Sequence, residues 1–248
     1  MRSAGKSDCG LVRENNEDAL LIDEQNGIFL LADGMGGGPG GEVASELAIH
    51  AAHELLWRLF PDQAAGADID RILAEALAAA HSAVAKRALA DPDLRGMGTT
   101  LEIVVVRGSE AAWCHVGDSR IYLFRGSSLR QLTIDDNYAG YLAKSRNIPP
   151  DRIASAYRHI LTQAVGVSES LVPEISAMAM EPGDLLLLCS DGLNAALEDG
   201  EIGEVLRSTG EPAAMADALV AAANAKGGPD NVSVIIIEPL QAVRYPLI

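Results

Sequence analysis

The sequence predicts an α+β fold in which layered antiparallel sheets are covered by helices. Three observations carry this. Short apolar runs, bounded by glycine and polar turn residues, recur at strand length. Two longer stretches instead repeat their apolar residues at helical spacing. The two kinds of segment come in blocks and not in βαβ alternation.

The elements follow in order. Ala19 to Ile22 and Ile28 to Ala32 flank the polar stretch Asp23 to Gly27, a hairpin pattern. A glycine-rich segment, Gly34 to Gly41, comes next. From Glu42 to Phe60 the residues Val43, Leu47, Ala51, Leu55 and Leu59 recur every fourth position, and Pro61 stops this helix. A second helix, rich in Ala and Leu, is expected from about Asp68 to Ala90, closed by Asp91 and Pro92. Thr100 to Val106, Ala111 to Val116, Arg120 to Arg125 and Leu129 to Leu132 read as strands of an antiparallel meander. The polar stretch from Asp135 to His159, with Pro149 and Pro150, reads as an irregular, partly helical insertion. Strands from about Glu174 to Met180 and Asp184 to Cys189, helices at about 198–208 and 212–225, and a last strand from Val232 to Glu238 complete the chain. One domain over residues 1–240 with a tail at 241–248 is the simplest organisation, since no linker or repeat divides it.

Composition bounds the function. The 248 residues carry 35 acidic against 19 basic side chains, a net charge of −16. Such a surface repels nucleic acid and anionic lipid, so neither is expected as a partner. The excess fits an ordinary acidic protein, and equally one whose carboxylates bind cations; composition leaves both open. Cys9, Cys114 and Cys189 form no CxxC pair, and their odd number suits reduced thiols, with Cys114 and Cys189 in the core. The N-terminus lacks the apolar stretch of a signal peptide, and apolar runs fall short of the ~20 residues needed to span a bilayer. A cytoplasmic monomer is expected.

The most informative pattern is an aspartate ending an apolar run and followed by glycine: Asp33-Gly34 after Leu30-Leu31-Ala32, and Asp191-Gly192 after Leu187-Leu188-Cys189-Ser190. Asp-Gly is also a hairpin turn, but that turn needs a strand directly after it. Met35 to Pro39 and Leu193 to Ala195 do not read as strands. Asp118 lies between two strands and Asp230 directly before the last one. Carboxylates gathered at one sheet edge need a counter-charge, which a hard divalent cation supplies. The sequence does not itself say that these residues meet.

Eight segments in order carry a family resemblance: Ser7-Asp8-Cys9-Gly10 with Arg13 and Asn16-Glu17-Asp18; Ala32 to Gly37; Gly98-Thr99-Thr100; Val116-Gly117-Asp118-Ser119-Arg120; Leu132-Thr133 with Asp135; Leu161-Thr162 with Ala164 and Gly166; Cys189 to Leu193; and Gly228 to Asn231. In these the chain resembles the metal-dependent protein phosphatases of type 2C, in their compact bacterial form. The resemblance implies a four-layer α-β-β-α sandwich, two antiparallel sheets flanked by helices. It implies metal-dependent hydrolysis of phosphoserine and phosphothreonine in proteins, by a water activated between two cations and without a covalent intermediate. Asp33 would bridge two metals, Mn²⁺ or Mg²⁺, with the Gly34 carbonyl on the first. Asp191 and Asp230 would hold the second, and Asp118 with Asp191 a weaker third. Glu17 and Asp18 would serve metal-bound water or the inner shell, Arg13 would grip the substrate phosphate, and Asn231 would support the site. Phosphoproteins, and a serine/threonine kinase with its targets, are the partners implied.

The chain departs from the family at two places. Met35 stands where eukaryotic members carry a histidine proposed as general acid, so metal-bound water is expected to protonate the leaving group. Asp136-Asn137 replaces a frequent histidine after Asp135. The insertion at about 135–160 corresponds to the family's flap, whose Tyr138, Tyr141, Lys144 and Arg146 read as an ordinary solvated loop. Of the histidines, His115 lies near a motif and is expected merely to fill a strand position. Two other classes compete. Gly36, Gly38 and Gly41 fit the dinucleotide-binding GxGxxG, but the next strand comes only after some 40 mainly helical residues. A catalytically silent binding module of the same fold usually lacks metal aspartates, and here Asp33, Asp118, Asp191 and Asp230 are all present.

Overall fold

The computed structural model describes residues 1–36, 40–59, 68–146, 148, 152–208 and 210–239. Gly37, Gly38 and Pro39 of the glycine segment, the stop at Phe60 and Pro61, Pro149 and Pro150, and the tail at 241–248 lie outside these residues. In chain order the strands are β1 (Arg2–Asp8), β2 (Asp18–Asp23), β3 (Ile28–Met35), β4 (Gly98–Thr99), β5 (Leu101–Arg107), β6 (Glu110–Val116), β7 (Arg120–Arg125), β8 (Ser128–Gln131), β9 (Glu174–Ala179), β10 (Leu185–Cys189) and β11 (Val232–Glu238). The helices are α1 (Gly40–Leu59), α2 (Ile69–Ala90), α3 (Tyr138–Arg146), α4 (Asp191–Ala196), α5 (Asp199–Ser208) and α6 (Pro212–Ala225).

Two antiparallel sheets form, as expected. One runs β1-β11-β10-β7-β8, the other β2-β3-β5-β6-β9 with β4 beside β3. Side chains on a strand alternate between its faces. In β3, Phe29 and Leu31 point into the layer between the sheets, with Trp113, Leu123, Leu188 and Ile235. Ile28, Leu30 and Ala32 point the other way, under Ala48, Leu56, Ile72 and Leu73 of α1 and α2. In β11, Val232, Val234 and Ile236 pack under Leu193, Ile202 and Leu219 of α4, α5 and α6. Each central strand is thus covered on both faces. That is why the strands read as unbroken apolar runs although the sheets are antiparallel.

Three features differ from the sequence reading. β1 was not expected: Arg2–Asp8 has almost no apolar residue, and it is held by its backbone ladder along β11. The short helix α4 begins at Asp191, so the chain turns into a helix directly at the second Asp-Gly. The predicted meander is broken in the middle. β5 and β6 pair in one sheet and β7 and β8 in the other, so the chain changes sheet over residues 117–119. Four evenly spaced strands do not reveal this, because a sheet change and a hairpin turn are equally short.

Gly117 makes that change possible. Its φ is +119°, and a Cβ there would sit 2.5 Å from the Cγ2 of Thr100. A side chain would meet both backbone strain and a buried wall. Replacing Gly117 by Ala is therefore expected to destabilise the fold by about 2 kcal/mol or more. Urea denaturation checks this; a midpoint equal to wild type would contradict it.

Candidate active site

Five aspartates come from five places in the chain to one edge of the sandwich. Asp18 opens β2 and Asp33 lies near the end of β3; the register places them directly opposite each other. Asp118 sits at the sheet change between β6 and β7, Asp191 follows β10, and Asp230 precedes β11. Each is half-buried. Their electrostatic reach shows that they converge. Asp33 is raised well above the usual carboxylate range, first by desolvation and then by Asp18, Asp191, Asp118 and Asp230. Asp18 is pushed up to about 7 by desolvation, with Asp191 and Asp230 adding to it. Asp118 is pushed up to about 7 by desolvation, then by Asp191 and Asp135. Asp191 is raised by desolvation and Asp230, and shares a hydrogen bond with Asp33.

A framework of neutral groups holds these carboxylates from behind. Thr100 donates its backbone N–H to the Asp33 carbonyl at 2.9 Å, and its hydroxyl accepts the Asp33 N–H at 2.9 Å. The same hydroxyl lies 2.8 Å from the hydroxyl of Ser119, which follows Asp118. Ser190 donates to Asp18 Oδ2 at 2.7 Å and accepts the Ser233 N–H at 2.9 Å, tying β2 of one sheet to β10 and β11 of the other. Asn231 is buried; its Oδ1 accepts the Glu17 N–H at 2.8 Å, and its amide donates to the carbonyls of Cys9 and Asn15. Thr100, Ser190 and Ser233 had no assigned role in the sequence reading. Their signal was a hydroxyl residue within an otherwise apolar strand end.

Glycines allow the backbone to close in. A Cβ on Gly34 would meet the Gly41 carbonyl oxygen at 2.1 Å, and one on Gly192 would meet the Asn231 carbonyl oxygen at 1.9 Å. One on Gly41 would strike the Glu17 carboxylate at 2.5 Å. Glu17 is therefore packed against the start of α1, and its pKa is raised by desolvation. Arg13 is exposed on the loop after β1, with Nη2 2.8 Å from Asp230 Oδ2. The start of that loop is pinned: Asp8 Oδ1 accepts the Gly10 N–H at 2.9 Å and the Asn224 amide at 3.0 Å.

The residues present suit a hard cation. Asp18 Oδ1 is buried without a hydrogen-bond partner. The donors are carboxylates and backbone carbonyls, the oxygen set that Mg²⁺ and Mn²⁺ prefer. Among the described residues, no three His, Cys, Asp or Glu side chains form a ready-made cage. Such ions use few carboxylates and keep several waters, and like charges draw together fully only around a counter-charge.

Two expectations change. His115 does more than fill its strand: Nδ1 lies 2.7 Å from Oε1 of the equally buried Glu102, and Nε2 3.0 Å from the Ile134 carbonyl oxygen. Tyr138 and Tyr141 are exposed, as expected, but lie on helix α3 and not in a loop; they stack at 5.8 Å, and Tyr157 meets Tyr138 edge-on at 5.2 Å. From the same insertion, the charge of His159 reaches Asp191 and lowers its pKa. Of the glycine fingerprint, Gly38 lies outside the described residues; the strand before it, β3, carries Asp33 and pairs antiparallel with β2 and β5, unlike the parallel strand of a dinucleotide site.

The sequence profile of the protein phosphatase 2C family matches residues 12–225. The chain is 38% identical over 238 residues to the serine/threonine protein phosphatase PstP of Mycobacterium tuberculosis, covering 96% of this chain and 45% of that protein. It thus spans about half the length of that curated relative. It is 32% identical over 242 residues to the serine/threonine phosphatase stp of Listeria innocua, covering 96% of each. Its structure superposes on the PstP catalytic domain in complex with two manganese ions with a TM-score of 0.82, at 39% identity over 95% of this chain and 96% of the other. The S. agalactiae serine/threonine phosphatase gives a TM-score of 0.87 at 29% identity, over 96% and 99%.

The raised carboxylates predict a pH signature for the metal-free protein. Asp18 and Asp118 hold protons up to about 7 when folded, but release them near 3.8 when unfolded. The folded state is thus favoured below that lower value and loses stability as pH rises through 7. The thermal midpoint of the metal-free protein should fall between about pH 5 and about pH 7.5, and Mn²⁺ should restore it at the higher pH. A midpoint that rises over this range, or one indifferent to Mn²⁺, would contradict the cluster.

Proposed function

The chain belongs to the protein phosphatase 2C family, and from that membership and its aspartate cluster we propose that it hydrolyses phosphoserine and phosphothreonine in proteins, with Mn²⁺ or Mg²⁺ as cofactor. The observation that carries the reading is the convergence of Asp18, Asp33, Asp118, Asp191 and Asp230, drawn from both sheets, on one edge. Residues 1–240 form the catalytic domain in this reading, with the insertion at about 135–160 as its flap.

The roles divide by position. Asp33, the Gly34 carbonyl, Asp191 and Asp230 would hold the two cations. Asp118 with Asp191 would hold a weaker third ion, and Glu17 and Asp18 would support metal-bound water or the inner shell. Asn231 holds Glu17 and the loop of Arg13 in register through its three hydrogen bonds. When bound, the cations neutralise the cluster and lower the pKa of water, so that hydroxide is available near neutral pH. Arg13 spends one donor on Asp230. Its guanidinium has further donors, and these are free to take phosphate oxygens in the forked geometry that phosphate favours. Ser190, Thr100 and Asn231 fix the carboxylates in advance, so little reorganisation is needed as charge develops. Cys114 and Cys189 are buried and their thiols are held protonated by burial, so neither is an available nucleophile.

The substrates in this reading are phosphoproteins, with a serine/threonine kinase and its targets as partners in the cytoplasm. Among the described residues no helix is long and apolar enough to cross a membrane. A silent binding module of the same fold is disfavoured by the complete set of aspartates.

Mn²⁺-dependent turnover of p-nitrophenyl phosphate and of a phosphothreonine peptide tests the reading. Asp33→Ala and Asp191→Ala should each lower kcat by at least about a hundredfold, and EDTA should abolish activity reversibly. Asp118→Ala should slow turnover without unfolding the protein. Activity that survives EDTA, or Asp33→Ala, would rule the bimetallic site out.

A further inference from the structure

The buried Glu102–His115 pair has no part in the machinery above, yet it touches it indirectly. The two residues face each other across the β5–β6 hairpin, in the register Glu102 with His115. Both lie in the layer between the sheets and are fully buried. A charged pair in such a layer costs desolvation, and apolar residues of the same size would pack there at least as well. Its geometry suggests what keeps it.

His115 is gripped at both nitrogens. Nδ1 meets Glu102 Oε1 at 2.7 Å, and Nε2 meets the Ile134 carbonyl oxygen at 3.0 Å. A carbonyl oxygen only accepts, so Nε2 must carry a proton. A carboxyl group at Nδ1 enforces this in either state. As carboxylate it pairs with the doubly protonated ring; as acid it donates to Nδ1 of the neutral ring. Without it, the Nδ1–H tautomer would turn a lone pair toward the carbonyl.

Ile134 begins the root of the flap, and the next two residues grip the loop that carries Asp118. Asp135 takes Arg120 Nε and Nη2, both at 2.8 Å. The Asp136 N–H donates to the Gly117 carbonyl at 2.6 Å, and the Gly117 N–H donates to Asp136 Oδ2 at 3.1 Å. Three consecutive flap-root residues are thus bonded to the 115–120 segment, and His115 supplies the first bond. On the other side Glu174, the register partner of His115 on β9, accepts the Ile134 N–H at 3.1 Å.

We propose that Glu102 is a positioning residue: through His115 it holds the flap root, Ile134–Asp136, against the loop that carries Asp118. The inference rests on the phosphatase reading for its effect on turnover, but not for its effect on structure. The pair transmits alignment and takes no part in the chemical step.

The decisive variant is Glu102→Leu combined with His115→Leu, which removes both charges and fills the space. Amide hydrogen exchange of Gly117 and Asp136 in the metal-free protein should quicken at least about tenfold, and kcat on the phosphothreonine peptide at saturating Mn²⁺ should fall about tenfold, as for other supporting shells. Glu102→Gln, whose amide can donate to Nδ1 and preserve the Nε2–H, should stay within about twofold of wild type in both. A folded double variant with wild-type exchange and wild-type kcat would overturn the proposal. So would a Glu102→Gln variant as impaired as the double one. Imidazole ¹⁵N spectra of the wild type give a test independent of folding: Nε2 of His115 should be protonated at neutral pH, and an unprotonated Nε2 would overturn it. If the wild type proves to lack phosphatase activity, the functional reading fails, while the exchange and ¹⁵N results still decide this one.

Discussion

Five carboxylates face one another at one edge of the sandwich, and their mutual repulsion is the constraint around which the rest is arranged. Asp18 and Asp33 stand directly opposite on adjacent strands, where like charges disfavour pairing. A protein that gathers such groups must leave them protonated or bring a cation to them. At neutral pH the second course frees all of them for chemistry. The acidic excess of the chain therefore has a local meaning at this edge beyond the general solvation of its surface.

The repulsion is contained by groups that cannot repel. Thr100, Ser119, Ser190, Ser233 and Asn231 are buried at the ends of strands, and each donates to or accepts from the segment that carries an acidic residue. Ser190 matters most to the architecture, since it joins Asp18 of one sheet to Ser233 of the other. Glycine supplies the remaining freedom. At Gly34, Gly41 and Gly192 a side chain would displace backbone or the Glu17 carboxylate, and at Gly117 it would block the passage between the sheets. Core and site are thus not separate designs: the strands that fill the core end in the residues that build the site.

Much of this was legible in the sequence. The apolar runs gave β2, β3, β5, β6, β7, β10 and β11, because strands buried on both faces leave a continuous signal. The Asp-Gly pairs marked two corners of the cluster, since neither fits a hairpin. What the sequence did not reveal was of two kinds. β1 lacks apolar residues and exists through backbone pairing along β11, which no side-chain pattern reports. The sheet change at Gly117, the convergence of the aspartates and the Glu102–His115 pair depend on long-range packing. The last of these had left a trace. A glutamate in Leu101–Arg107 and a histidine in Glu110–Val116 each interrupt an apolar strand, and hairpin register alone would have set them opposite. His115 alone has the appearance of a strand filler; Glu102 opposite gives it its meaning.

If these carboxylates form one cation-binding unit with Asp33 at its middle, that unit should bind and release ions as a whole. Calorimetric titration of Mn²⁺ into the metal-free protein near neutral pH, beside Asp33→Asn, tests it most directly. The wild type should bind about two ions per chain saturably, with proton release from the raised carboxyls, and both should be diminished in Asp33→Asn. Absence of saturable binding by the folded wild type, or binding and proton release unchanged in Asp33→Asn, would contradict it.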